Sequence, residues 1–222
     1  MKILPVIHYI DTDTAIQQVA VARQCGADGV FLIDHHGNDD NLVQVAALAK
    51  EVFTDFPIGI NLLSYSATHA ARAAIEHGLQ MIWADSMDVS SAGMGSMGRE
   101  LRAMAAEHPE IGFFASVAFK YQAEELDPAF AARYAREAGF VPTTSGTRTG
   151  SPPSVDKIKT MSEAADGVLA VASGMTPDNI ALYAPFLSHV LVSTGVSVDD
   201  YRFDEAKLVE LISKSRQTMG PT

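Results

Sequence analysis

Eight short apolar runs, each followed by a segment with helical spacing, recur along this chain and leave little freedom in how it folds. The runs are ILPVIH (3–8), DGVFLID (28–34), IGINLL (58–63), MIWAD (81–85), GFFASVAFK (112–120), FVPTTS (140–145), DGVLAVAS (166–173) and HVLVST (189–194). They are nearly continuous in apolar residues instead of alternating, the pattern of strands buried on both faces of a parallel sheet. Between the first two, TAIQQVAVARQCGAD places Ile16, Val19, Ala20 and Arg23 at steps of three and four, and Gly26 closes the predicted helix. NLVQVAALAKEVF, THAARAAIEHG, GRELRAMAAEH, PAFAARYAREAG and EAKLVELISKSR repeat the spacing. Eight strand–helix units with short links predict a (β/α)8 barrel, an α/β fold in one domain over residues 1–222. The main rival is a doubly wound open sheet, and no G-x-G-x-x-G follows the first strand to support it.

Composition narrows the partners. With 222 residues and 47% hydrophobic content the chain can bury one substantial core. A net charge of −11 argues against general affinity for nucleic acid or acidic membrane surfaces, so an anionic ligand must be held locally. Cys25 is the single cysteine, which excludes a disulfide framework and a cysteine-based zinc site. The apolar run in MKILPVIHYIDTD is too short for a secretory signal, and nothing approaches the roughly 20 apolar residues of a membrane helix. The expectation is a cytoplasmic protein without membrane insertion. Its oligomeric state is left open, a homo-oligomer included.

A barrel carries its chemistry at the C-terminal strand ends and the loops after them. Reading those ends gives His8; Asp34, His35 and His36; Asn61; Asp85 and Ser86; Lys120; Thr143, Thr144 and Ser145; Ser173 and Gly174; and Ser193, Thr194 and Gly195. The loops after the seventh and eighth runs are built from small residues, and loops in these two places frequently bind phosphate. In the seventh, Thr176 is the expected N-cap, with Pro177 at the first helical position. Next to them, TSGTRTG adds Thr144, Ser145, Gly146 and one cation, Arg148, which can clamp a phosphate or carboxylate with forked hydrogen bonds. An ordinary loop with a surface arginine is the competing reading. The glycine-rich Ser90–Gly98 stretch is the expected mobile lid.

In the order of its segments the chain resembles the BtpA/SgcQ family of barrel proteins. The resemblance is carried by VIHYI, GADGVFLIDHHGND, PIGINLLSYSATHAARAAIEHG, GMGSMGRELR, SVAFK, SGTRTGSPPSVDKIK and ASGMTPDNI. It implies a barrel related to a family associated with photosystem I biogenesis, some members of which are labelled as resembling phosphoribosylanthranilate isomerase. The chain departs from the family pattern at Asp34-His35 and at Tyr121.

For chemistry, Lys120 is expected to stabilise negative charge, in preference to forming a Schiff base. Asp34, Asp85 and His8 are the candidate acids and bases, and Asn61 a substrate-positioning amide. His8, Asp34, His35 and His36 are a candidate metal set, but the first strand has no H-x-H, and neither metal nor other cofactor is expected. Together these residues predict an enzyme performing isomerase- or lyase-type proton transfer on a phosphorylated sugar or nucleotide-like compound. The alternative is a non-catalytic ligand-binding assembly or regulatory factor.

Overall fold

A computed structural model describes residues 1–217. The strands are β1 (Lys2–His8), β2 (Val30–Ile33), β3 (Ile58–Asn61), β4 (Met81–Ala84), β5 (Val89–Ser90), β6 (Gly93–Met94), β7 (Gly112–Ser116), β8 (Val141–Thr144), β9 (Ala170–Ala172) and β10 (His189–Val192). Eight of them close a parallel barrel in the order β1-β10-β9-β8-β7-β4-β3-β2, and β5 and β6 form a separate antiparallel hairpin. The helices are α1 (Thr12–Gln24), α2 (Asp39–Val52), α3 (Ala67–Glu76), α4 (Ser96–Glu107), α5 (Pro128–Glu137), α6 (Val155–Ala164), α7 (Ile180–Tyr183) and α8 (Glu205–Gln217). The eightfold alternation is therefore a (β/α)8 barrel. Among the described residues, no helix is long and apolar enough to cross a membrane.

Local chemistry sets the boundaries. Asp11, Ser66, Asp127 and Ser154 each cap a helix by accepting the backbone N–H three residues on, which satisfies a donor the helix leaves orphaned. Closure of the barrel pairs Lys2 with His189 and Pro5 with Val192.

Alternate strand residues separate two apolar layers. Leu4, Val6, Phe31, Ile33, Met81, Trp83, Phe114 and Leu191 fill the barrel interior. Their neighbours Ile3, Ile7, Leu32, Ile60, Ile82 and Phe113 pack outward under the helices. The ring of Phe31 meets Trp83 and Phe114 edge-to-face, with centroids 6.1 and 5.2 Å apart. Gly59 makes the room, since a Cβ there would lie 2.5 Å from the Phe31 ring. Two residues beyond each interior side chain, the same alternation brings His8, His35, Asp85 and Ser193 to the C-terminal mouth.

Several elements differ from the sequence expectation. The GFFASVAFK strand stops at Ser116, because Ala118 adopts a left-handed φ of 49°. Lys120 thus stands on a loop instead of on a strand end. The seventh helix starts at Ile180, and Asn179 takes the cap position expected for Thr176. The Asn179 carboxamide accepts from Thr176 N (2.9 Å) and donates to the Gly174 carbonyl (2.8 Å), folding this loop on itself. The lid stretch holds the β5–β6 hairpin and the first turn of α4.

Candidate active site

A cavity of about 920 Å³ opens at the C-terminal mouth. Its floor is apolar, formed by Val6, Ile33, Trp83, Ala172 and Leu191, and its rim is polar. His8, Asp85 and Lys120 line one part of it, and Ser173, Ser193 and Thr194 another. These six of the expected site residues share one space.

His8 is joined there by His35, which faces it edge-on with ring centroids 5.1 Å apart. Burial, then the neighbouring His35 charge, lowers the His8 pKa, with Asp200 opposing. A neutral imidazole at neutral pH can accept a proton, which suits a general base. Lys120 is half-buried, and burial lowers its pKa against the raising influence of Tyr121 and Asp85. Its Nζ donates to Thr149 Oγ1 at 3.3 Å and lies 5.6 Å from the Phe119 ring centroid. Its backbone N–H donates to Ser145 Oγ at 2.8 Å.

The loop after β8 crosses the mouth. Thr149 joins Lys120 and the Tyr121 hydroxyl on one side, while Gly150 N donates to Ser173 Oγ at 2.8 Å on the other. Ala118, Tyr121 and Ser173 all carry left-handed backbone, at φ 49°, 62° and 90°. Such conformations cost of order 1–3 kcal/mol each and persist where surrounding structure enforces them. All three line the cavity.

The other expected residues lie outside that lining. Asp34 follows Ile33, an interior residue, so the alternation turns it away and admits His35 instead. Asp34 Oδ2 accepts from His36 N (3.0 Å) and Asn38 N (2.5 Å), ordering the loop into α2. Asn61 is buried and lines a smaller cavity of about 260 Å³ with Ser66, Asp85, Ser86 and Met97. Both polar atoms of its carboxamide lack a partner among the described residues. Thr144 Oγ1 donates to the Ala118 carbonyl (3.0 Å), and Ser145 Oγ to the Gly146 carbonyl (2.9 Å).

The cradle glycines meet other loops. A Cβ on Gly146 would lie 2.1 Å from Ser151 O, one on Gly174 would lie 2.4 Å from Pro152 N, and one on Gly195 would lie 2.0 Å from Met175 O. Their small size serves backbone-to-backbone packing between adjacent loops. Arg148 is exposed, and its charge helps lower the Tyr121 phenol pKa, after the larger effect of the Thr149 hydrogen bonds. Among the described residues no group of three or more His, Cys, Asp or Glu is placed to hold a metal ion.

Sequence reasoning gave less weight to His35, and passed over Gln122 and Glu125. The Gln122 amide donates to the Asp85 carbonyl. Glu125 accepts from both the N–H and the hydroxyl of Ser91, tying the segment after β7 to the β5–β6 hairpin. β2 is apolar and buried at every position, so its residues offer no register by which to find His35. No sequence signal marks the other two.

Solved structures with this arrangement of chain are numerous. A structure described as native KDPGal is 16% identical, covers 100% of this chain and 97% of its own, and superposes with a TM-score of 0.70. The 3-keto-L-gulonate-6-phosphate decarboxylase of Vibrio cholerae is 12% identical over 98% of this chain and 99% of its own, with a TM-score of 0.69. Phosphoribosyl anthranilate isomerase of Thermus thermophilus is 12% identical over 98% and 99%, with a TM-score of 0.68. These likenesses establish the fold. No protein-family model matches the chain, and no curated protein matches it.

Proposed function

We propose that the chain is a small-molecule enzyme acting on a phosphorylated sugar or nucleotide-like substrate by lyase- or isomerase-type proton transfer. The observation that carries this reading is the meeting of His8, His35, Asp85 and Lys120, from four separate segments, in one cavity with an apolar floor. A non-catalytic binding factor needs no such convergence of titratable groups. In this reading His8 and Asp85 exchange the proton, and burial, with His35 beside it, favours the neutral form of His8. Lys120 stabilises the negative charge that develops on a substrate oxygen in a partly desolvated place. Ser173, Ser193 and Thr194 supply hydroxyls for the anionic end of the ligand, and Asn61 orients a polar group entering the smaller cavity. The names of two neighbouring structures, a 6-phosphate decarboxylase and a phosphoribosyl isomerase, support the substrate class. The resemblance to the BtpA/SgcQ family rests on motif order, and the reading does not depend on it.

A second reading has its own observation. Burial lowers the Lys120 pKa, which raises the fraction of free amine that imine formation requires. One experiment separates the two. A thermal-shift screen of phosphosugars and nucleotides identifies binders, and each carbonyl-bearing binder is then incubated with borohydride. Charge stabilisation by Lys120 predicts binding without a reduced adduct, and a rate loss of about a hundredfold or more in Lys120→Met. A borohydride-fixed adduct on Lys120 establishes Schiff-base chemistry in its place. No binder at all in the screen removes the enzyme reading.

A further inference from the structure

Lys157 has no role in the site described above, and its surroundings are unusual for a lysine. It lies in the first turn of α6, where Ser154 Oγ accepts its backbone N–H at 3.2 Å. A cation there opposes the helix dipole. Lysines ordinarily carry the ammonium out to water, yet this one turns inward. Its Nζ donates to the Ala118 carbonyl at 2.7 Å and to the Ser145 carbonyl at 2.9 Å. Burial lowers its pKa, and no carboxylate offsets that among the described residues. Dipole and desolvation both disfavour the placement, so the two carbonyl contacts need a purpose.

One of those carbonyls lies two residues before Lys120, and the other is on the loop after β8, whose Ser145 hydroxyl accepts the Lys120 N–H. The Ala118 carbonyl accepts twice, from Lys157 Nζ and from Thr144 Oγ1. Ala118 is also where left-handed backbone turns the chain out of β7. Ser145 offers its carbonyl to Lys157 and its hydroxyl to the Lys120 N–H. One ammonium therefore grips both segments between which Lys120 is held.

We propose that Lys157 is a positioning residue, which fixes the ends of the β7 and β8 loops and so sets Lys120 against the cavity wall. The inference rests on the role given to Lys120 above. The geometry is specific to an ammonium: three donors on a flexible stem reach two carbonyls from different loops. A methyl-ended side chain of the same length fills the space and grips neither.

The test reads Lys120 directly and needs no substrate. The intact protein is acetylated with acetic anhydride over a pH series, and peptide mass spectrometry follows Lys120, with exposed Lys159 of the same helix as control. In Lys157→Met the Lys120 midpoint moves up by about one pH unit, as burial of its amine is relaxed. The Lys159 profile stays where it is. Ser145→Ala, which removes the hydroxyl that holds the Lys120 N–H, moves the midpoint in the same direction, and the double variant adds little to either. An unmoved Lys120 midpoint in folded Lys157→Met overturns the proposal, as do fully additive effects of the two variants. Should the methionine variant fail to fold, Lys157→Leu, which likewise offers no donor to either carbonyl, is read by the same criteria. A moved midpoint in a protein that binds no phosphate ester sinks the enzyme reading and leaves the positioning role standing. An unmoved midpoint with binding intact does the reverse.

Discussion

At the scale of single residues, Lys120 is balanced between burial, which lowers its pKa, and the charges of Tyr121 and Asp85, which raise it. Asp85→Asn removes one of the raising charges. The midpoint for amine acetylation of Lys120 should therefore fall further, and an unchanged midpoint would show that the carboxylate exerts no field on the amine. Arg148 is exposed and lies outside the cavity lining. Arg148→Ala should weaken phosphate-ester binding by a few-fold, much less than Lys120→Met, and the difference should fade at high salt. Its melting temperature should stay within about two degrees of the parent, as for an ordinary surface change. The same scale shows why the site was only partly legible. Lys120, Asp85 and His8 could be named from the sequence because they end apolar runs. Asp34 was preferred to His35 because a carboxylate suggests acid–base chemistry, but residue type does not decide which side chain enters a barrel. Strand register decides it, and register appears only when Ile33 is known to face inward. Lys157 was invisible, since a lysine in the first turn of a helix looks like a solvated surface group until its carbonyl partners are seen.

At the scale of elements, loops govern the site by packing against one another. Small residues in the loops after β8, β9 and β10 suggested ligand approach from sequence, and the same freedom from a Cβ serves approach by another loop. Gly195→Ala would push a methyl toward Met175 O, which lies 2.0 Å from the ideal Cβ position. Overpacking of this kind costs typically about 1–3 kcal/mol. Chemical denaturation should show that loss, and a neutral result would mean that the loops part easily. The glycine-rich stretch after β4, expected as a lid, holds a hairpin beside the cavity and is tethered at both ends. Asp88 Oδ2 accepts from Met97 N at 3.2 Å, and a Cβ on Gly95 would collide with that carboxylate. Gly95 thus leaves room for the Asp88 carboxylate that caps the first turn of α4. Glu125 holds Ser91 at the opposite end of the hairpin. Glu125→Ala should speed amide hydrogen exchange in residues 89–94 and 121–126 while sparing the barrel strands. Equal exchange in the two proteins would show that the tether restrains nothing.

At the scale of the whole molecule, the barrel was legible because its physics is repetitive. A strand buried on both faces must be apolar throughout, and eight such runs with helices between them admit few closed arrangements. The additional hairpin and the abbreviated seventh helix broke the rhythm too locally to register. The closed barrel also buries a titratable group far from the site. His189, at the N-terminal end of β10, packs edge-on against Phe114 with ring centroids 5.1 Å apart. Burial is the main reason its pKa falls to about 4, with the positive charges of Lys2 and the N-terminus adding to it. The sign follows from proton counting. Between about pH 6.5 and 4 the unfolded chain binds a proton at this histidine and the folded barrel does not, so stability falls as pH is lowered through that window. Full loss, below both values, amounts to roughly 3 kcal/mol for a shift of this size. Urea unfolding at pH 7 and at pH 4.5 should show most of it, on top of whatever the carboxylates contribute. His189→Gln removes the titration while keeping a polar group that can bond to Ser188, whose hydroxyl lies 2.8 Å from His189 Nδ1. That variant should lose less stability than the parent between the two pH values. If both lose the same amount, His189 is protonated inside the folded barrel, and acid sensitivity must arise elsewhere.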